Sequence, residues 1–143
     1  MLNHDWGKEA FVRFPELIDR FDHVENPHEL WFQLTDAFDE ANKPPRNEDL
    51  IARIYAFAEW CCLQPQGATA EDDLGSCVCV CFYEHIPECP EALEDMPRWF
   101  SRSEVMQMKA TFSYMVGEDG FGRILEAYER HSRQANAKSR HRR

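Results

Sequence analysis

Apolar residues recur along this chain at the three- and four-residue spacing of one helix face. In the stretch 47–62, at about 100° per residue, eight apolar side chains fall on an arc of about 160°, namely Leu50, Ile51, Ile54, Tyr55, Phe57, Ala58, Cys61 and Cys62. The stretch 26–42 repeats the pattern with Leu30, Trp31, Leu34, Phe38 and Ala41. No segment alternates apolar and polar residues as a half-buried strand would. The pattern predicts an all-α fold of six or seven helices joined by short turns.

Capping residues mark where these helices begin and end. The run Asn26-Pro27-His28-Glu29 combines an Asn cap with Pro at the first helical position and Glu at the third. Asn47 caps the next helix, and Ser101 with Glu104 forms a capping box further along the chain. Gly117 is a residue type that commonly follows a helix C-terminus. These signals predict separate helices and short connections.

The stretch 71–86 is predicted to be the central helix because it is apolar on both sides. One side carries Leu74, Cys77, Val78, Cys81, Phe82 and His85, and much of the other carries Cys79, Tyr83 and Ile86. A helix that is apolar on both sides must pack between neighbours. We therefore expect the helix pairs 47–86 and 101–131 to form αα-hairpins that stack in a HEAT-like manner around this central buried helix.

Charge is unevenly distributed along the 143 residues. The last twelve, 132–143, hold five of the 16 Lys and Arg residues and no acid, which leaves 11 basic and 26 acidic residues in 1–131, a net charge of −15. We expect 1–131 to be a single helical domain and 132–143 to be a disordered basic tail. An acidic body repels nucleic acid and anionic membranes and attracts a basic protein.

The N-terminal sequence, MLNHDWGKEAF, contains no long apolar run, and no stretch has the 18 or more apolar residues that span a bilayer. We therefore predict no membrane association and a cytoplasmic location. The six cysteines are then expected to be thiols.

The run Cys77-x-Cys79-x-Cys81 is the most suggestive metal-binding pattern in the chain. On a helix, Cys79 points away from the other two cysteines, and only Cys77, Cys81 and His85 share a face. Tetrahedral zinc would need a fourth ligand, from Cys61 or Cys62. Free cysteine is also a common core residue. The sequence therefore favours packing and predicts no metal or other cofactor, while a small Cys/His metal- or thiol-dependent module stays open as the alternative function.

Catalytic motifs are absent from the sequence. It contains no GxSxG, no HExxH and no phosphate-binding glycine loop. Glu84-His85 resembles half of a catalytic pair, but His85 belongs to an apolar helix, where a histidine is usually a core residue. We therefore predict that the protein is not an enzyme.

The residues from Asp73 to Ile86 resemble a known kind of domain. The pattern is an acid, Leu, small residues, Val alternating with small residues, and then Phe-x-Glu-x-Ile. It resembles the second helix of small all-helical bacterial domains of uncharacterised type, some of which are linked to polymorphic toxin loci as immunity proteins. The resemblance implies an inhibitor that occludes a cognate basic toxin such as a nuclease.

The segment from Ile54 to Pro97 contains nine carboxylates and no Lys or Arg. Acidic inhibitors meet basic partners at increased rates because opposite charges steer the encounter. We therefore predict that the partner is bound by carboxylates at helix starts and turns, with two tryptophans as aromatic anchors. The predicted partner-binding residues are Glu71, Asp72, Asp73, Glu91, Glu94, Asp95, Trp99 and Trp31.

Overall fold

The computed structural model describes residues 1–69 and 72–141, with His141 described by its backbone alone. These residues form eight α-helices and three short 3-10 helices and contain no strand, which confirms the predicted all-α class. The chain divides into two compact units, Met1–Tyr83 (unit 1) and Glu84–Arg143 (unit 2). The predicted domain, 1–131, covers unit 1 and the packed part of unit 2.

Unit 1 contains four α-helices, which are α1 (Asp5–Arg13), α2 (Pro27–Asn42), α3 (Glu48–Cys62) and α4 (Leu74–Cys81), with a 3-10 helix at Pro15–Phe21. Helices α2, α3 and α4 pack on one another, and α1 packs on α3. At the centre, the Trp31 indole stacks on Phe57 and on Phe82, with ring centroids 5.4 and 5.3 Å apart. The apolar stripes predicted for α2 and α3 therefore meet in one aromatic core.

Helix α4 is shorter than the predicted helix 71–86. It packs against both α2 and α3, as expected for a helix that is apolar on two sides. It ends at Cys81, whose carbonyl oxygen accepts a 2.8 Å hydrogen bond from Thr35 Oγ1 of α2. This contact occupies an acceptor that a continuing helix would use, and a 3-10 helix, Tyr83–Glu88, follows.

Unit 2 contains α5 (Pro90–Asp95), a 3-10 helix (Met96–Arg98), α6 (Arg102–Gln107), α7 (Lys109–Ser113) and α8 (Gly117–His141). Helix α8 packs against α5, α7 and the 3-10 helix. The Tyr128 hydroxyl, buried on α8, donates a 2.7 Å hydrogen bond to the Phe100 carbonyl. The capping box at Ser101 is present. Gly117 has the left-handed backbone (φ 69°) that glycine favours, but it is the first residue of α8, and the preceding helix ends at Ser113 instead of running to Gly117.

Residues 132–141 differ from the predicted disordered tail, and the last two residues of that tail, 142 and 143, lie outside the described residues. Helix α8 continues through 132–140 to His141. Residues 123–141 contain neither proline nor glycine and include several strong helix formers, among them Arg, Gln, Ala and Lys. The helix therefore has no local reason to stop at His131. Among the described residues, no helix is both long enough and apolar enough to cross a membrane.

Candidate protein-binding site

The end of α3 and the whole of α4 form an open groove on unit 1, the α3–α4 groove. Its volume is about 470 Å³, and its lining residues are Cys62, Gln64, Gln66, Asp73, Gly75, Ser76, Cys79 and Val80. The two helices approach closely here, since a Cβ atom added to Gly75 would lie 3.8 Å from the Cys62 Cα. Small residues on both helices leave space where larger side chains would fill the groove.

Two of the predicted partner-binding residues, Asp72 and Asp73, lie at the start of α4 beside this groove. Asp73 Oδ2 accepts a 2.8 Å hydrogen bond from Ser76 Oγ, and Asp72 Oδ2 accepts one of 3.1 Å from Thr69 Oγ1. Hydroxyl groups therefore orient both carboxylates, and within the described ranges neither carboxylate has a cationic partner. Their negative charge remains available to a ligand. Glu71 lies outside the described residues.

The raised pKa of the Cys62 thiol indicates which charges act at the groove. Burial is the largest cause that raises the pKa of this thiol, and the charges of Cys79, Asp73 and Glu59 raise it further. A hydrogen bond with Tyr83 acts in the opposite direction and lowers it. Carboxylates from both α3 and α4 therefore act at the same point. Asp73 and Glu59 therefore disfavour added negative charge at this point, in addition to the cost of burying a charge of either sign.

Exposed apolar side chains accompany these carboxylates. Val80 lines the groove and is 50% exposed, and Leu63, the residue that follows α3, is 77% exposed. A lysine or arginine of a partner has an aliphatic stem and a charged end. Its stem can contact Val80 while its charged end reaches Asp73. The groove therefore suits a basic side chain better than an acidic or a purely apolar one.

The arginines of unit 1 do not cancel this charge. Each of the four pairs with carboxylates elsewhere in the unit, namely Arg13 with Glu9, Arg20 with Glu40, Arg46 with Glu48, and Arg53 with Glu16 and Asp49. None of them lines the α3–α4 groove.

The remaining predicted carboxylates lie in unit 2, on or next to α5, in a different setting. Glu94 pairs with Arg130 of α8, and Asp95 accepts hydrogen bonds from Arg98 Nη1 (3.1 Å) and Trp99 Nε1 (3.1 Å). Glu91 is exposed, and its carboxylate accepts a 3.5 Å hydrogen bond from the Cys89 thiol. Cations therefore already compensate two of these three acids.

Trp99 is partly exposed, and the Arg98 guanidinium lies 5.1 Å from its ring centroid. The structure thus brings Glu91, Glu94, Asp95 and Trp99 together on one segment of unit 2, whereas Asp72 and Asp73 belong to unit 1.

Trp31 requires a correction, because the prediction that it anchors a partner is wrong. Its side chain is 0% exposed, between Phe57 and Phe82, and it cannot contact a ligand in this fold. Its neighbour Phe32, which lies off the apolar stripe of α2, is 55% exposed instead. The angular position of each residue around the helix axis distinguishes the two, because Trp31 lies on the apolar stripe of α2 and Phe32 lies off it.

Sequence reasoning also did not identify Glu59, Leu63 and Val80 as part of a site. Glu59 lies outside the apolar arc predicted for 47–62, and its effect on the pKa of Cys62 is seen only in the structure. Leu63 and Val80 belong to none of the predicted apolar faces, and apolar character alone does not show which side chains remain exposed.

A second cluster lies deeper in unit 1, where Cys77 meets His28. Cys77 Sγ lies 3.4 Å from His28 Nδ1. Burial raises the pKa of Cys77 to about 11, and the nearby charges of Cys81, Asp73 and Asp72 act in the same direction. A nucleophilic or metal-binding cysteine needs its thiolate form. This environment therefore opposes an activated cysteine, although an imidazole lies beside the thiol.

The face predicted to hold Cys77, Cys81 and His85 is not formed, because His85 lies beyond the end of α4. His85 Nδ1 is 3.1 Å from Glu88 Oε1 instead. Across 1–69 and 72–141, no group of three or more His, Cys, Asp or Glu residues is arranged to hold a metal ion.

No protein-family model, curated protein or solved structure matches this chain. The interpretation of function therefore depends on the geometry and charge of the site itself.

Proposed function

We propose that this protein is a binding protein that uses the α3–α4 groove of unit 1 to hold basic side chains of a protein partner. The most concrete form of this function is a cytoplasmic immunity protein that neutralises a cognate basic toxin such as a nuclease. The observation that carries the proposal is a groove lined by Asp73 and by the exposed Val80, with Asp72 next to it in the chain; neither carboxylate has a cationic partner among the described residues. The resemblance of 73–86 to domains of toxin loci points to the same class of partner.

The distribution of charge supports a partner for unit 1. Residues 1–83 contain 16 acidic and 6 basic residues, whereas residues 84–143 contain 10 of each, so the whole formal charge of −10 arises from unit 1. A field of one sign increases the rate at which a basic protein meets this surface. Basic proteins that act on nucleic acid present cations to phosphates, and carboxylates in the groove would occupy those cations.

Apolar contact is needed in addition to charge. Exposed ion pairs each contribute only about 0–1 kcal/mol, whereas association costs several kcal/mol of translational and rotational freedom. Val80 and Leu63 offer surface that a partner can bury at about 25 cal/mol per Å². In this arrangement the carboxylates determine which partner binds and how fast, and the apolar residues slow its dissociation.

The test is binding to the product of the adjacent gene, measured as association and dissociation rates at 50 and 300 mM salt. We expect a complex whose association rate falls as salt rises. In the triple variant Glu59→Gln, Asp72→Asn and Asp73→Asn, the association rate should fall by about tenfold or more at low salt. These substitutions keep the shape of each side chain and remove its charge.

The matched control is the triple variant Asp19→Asn, Asp22→Asn and Asp36→Asn, which removes the same charge from exposed positions of unit 1 outside the groove. It should change the rate by about twofold or less. Equal losses in both variants would show that net charge acts without a site, and the absence of any salt-sensitive complex would count against the proposal as a whole.

A further inference from the structure

The final part of α8 is an exposed basic helix that the proposed function does not use. After Tyr128 no described side chain is buried, and every side chain from His131 to Arg140 is exposed. This segment carries Arg133, Lys138 and Arg140, and no acidic residue follows Glu129. It is helical surface with no buried side chain from 131 to 140.

The basic residues of this segment have a definite arrangement. At about 100° per residue, Arg133, Ala137 and Arg140 fall within about 60° of one another, and Lys138 lies about 140–160° from the two arginines, on nearly the opposite side of the helix. The remaining side chains of 132–140 are Ser132, Gln134, Ala135, Asn136 and Ser139. Hydroxyl, amide and guanidinium groups are the side chains that contact phosphate oxygens, and alanine lets a helix approach closely.

The chemistry of the segment excludes two other kinds of ligand. It contains no apolar residue larger than alanine between Glu129 and Arg140. A helix that docks into a protein groove needs apolar anchors at i, i+3, i+4 and i+7, and one that lies in a membrane interface needs an apolar face. Ion pairs alone, at about 0–1 kcal/mol each, would not offset the cost of associating with an acidic protein surface.

Nucleic acid differs because counterions are condensed on its phosphates. Each cationic side chain that binds a phosphate releases such a counterion, and this release drives binding. The acids of the protein do not prevent this. From Glu129 to Arg140 the helix rises about 16 Å at 1.5 Å per residue, twice the Debye length of about 8 Å at physiological salt. The distal part of the helix is therefore screened from the acids that precede it on α8.

We propose that the exposed end of α8, residues 131–140, binds double-stranded DNA through its phosphates, with the helix lying in the major groove. An α-helix is about 10–12 Å across with its side chains, and the major groove of B-form DNA is about 12 Å wide. The deep, narrow major groove of A-form RNA does not admit a helix. Binding is weak and insensitive to sequence, because phosphates carry no sequence information.

The experiment measures fluorescence anisotropy of a labelled 20-base-pair DNA duplex with the full chain at 50 to 200 mM salt. We expect binding whose logarithmic salt dependence has a slope of about −2.7, at roughly 0.9 for each of the three cations of the segment. In the variant Arg133→Gln, Lys138→Gln and Arg140→Gln, affinity at 50 mM salt should fall by about tenfold or more. The magnitude of the slope should fall by about 2.7, since the three cations of the segment are removed.

The control variant is Lys8→Gln, Lys43→Gln and Lys109→Gln, which removes three exposed cations outside residues 131–140 and gives the same net charge. It should retain the affinity of the unchanged protein within about twofold. Equal loss in both variants, no binding at 50 mM salt, or tighter binding of an RNA duplex of the same length would each overturn the proposal. None of these outcomes depends on the α3–α4 groove, so the result is independent of the protein partner proposed above.

Discussion

Trp31 and Phe32 are neighbours in the chain with opposite environments. Trp31 is 0% exposed and stacks between two aromatic rings, whereas Phe32 is 55% exposed on the outer face of α2. Burial of a large aromatic ring is among the strongest single contributions to a core, because its loss leaves both unfilled volume and lost contacts. The boundary between the core and the surface of α2 therefore falls between these two neighbouring residues.

We predict that Trp31→Ala lowers the free energy of unfolding by about 3–5 kcal/mol. Phe32→Ala should change it by about 0.5 kcal/mol or less, as an exposed substitution does. Urea unfolding followed by circular dichroism measures both. Trp31→Phe keeps most of the ring volume and gives an intermediate loss if the alanine variant does not fold. A loss for Phe32→Ala as large as that for Trp31→Ala would place the core on the other face of α2.

Glu16 and Arg53 form the most complete ion pair of unit 1. Arg53 Nη1 and Nη2 each donate a 2.7 Å hydrogen bond to one oxygen of the Glu16 carboxylate. The Arg53 guanidinium also donates a 2.7 Å bond to the Arg13 carbonyl and lies 5.9 Å from the Phe14 ring centroid. The hydrogen bond from Arg53 is the largest cause that lowers the pKa of Glu16 below its usual value near 4.5.

This lowered pKa makes the contribution of Glu16 to stability depend on pH. Above about pH 4.5 the carboxylate is ionised in both states and the pair stabilises the fold. As the pH falls from there through the lowered folded pKa, the unfolded chain binds the proton more readily, and the contribution is lost. We predict that Glu16→Gln lowers the free energy of unfolding by about 0.5–1 kcal/mol at pH 7, since the pair is partly exposed to solvent.

Chemical unfolding at pH 7, 4.5 and 3 tests this prediction, because the difference between the unchanged protein and Glu16→Gln should shrink at the lowest pH. Asp19→Asn is the control, since it removes a nearby exposed carboxylate with no ion pair among the described residues. The same pH dependence in both variants would assign the effect to general charge repulsion and not to the Glu16–Arg53 pair.

The N-termini of the helices show which features of the fold depend on local sequence alone. The side chains of Asn26, Asn47 and Ser101 accept bonds from the backbone N–H three residues later, at 2.9, 3.1 and 3.1 Å. Each of these caps was predicted, since cap and helix lie within one short segment of sequence. The apolar stripes of α2 and α3 were predicted for the same reason.

Helix ends that depend on distant residues could not be predicted. Helix α4 ends where Thr35 bonds to Cys81, a contact between residues 46 positions apart. The helix expected to begin at Ser101 is broken at Met108, with φ −100° and ψ 22°, into α6 and α7. The 3.6-residue period of apolar side chains continues through such a break, so the pattern contains no sign of it.

The candidate site depends both on local sequence and on contacts between residues that are distant in the chain. The sequence places Asp72 and Asp73 at a helix start in a segment without Lys or Arg, and the structure places them beside the α3–α4 groove. Compensation of Glu94 by Arg130, 36 residues away, could not be deduced from spacing. The groove also depends on the packing of α4 against α3, which determines the exposed surfaces of Val80 and Leu63.

At the scale of the whole molecule, charge and packing are separated along the chain. Unit 1 holds the net charge of −10, while the ten acids of residues 84–143 are balanced by ten bases, five of them after His131. The last buried residue described is Tyr128, whose hydroxyl bonds to the Phe100 carbonyl. Residues 132–143 should therefore affect what the protein attracts and contribute little to whether it folds.

Deletion of residues 132–143 tests this separation. The net charge becomes −15, so the shortened protein should elute from an anion exchanger at higher salt. Its free energy of unfolding should differ by about 0.5 kcal/mol or less, because every side chain described from 132 to 140 is exposed. Tyr128→Phe, which removes the buried hydroxyl just before the exposed segment, should cost about 1 kcal/mol or more by leaving the Phe100 carbonyl without this donor. If the deletion costs as much as Tyr128→Phe, the end of α8 is packed in solution and the exposed basic surface does not exist.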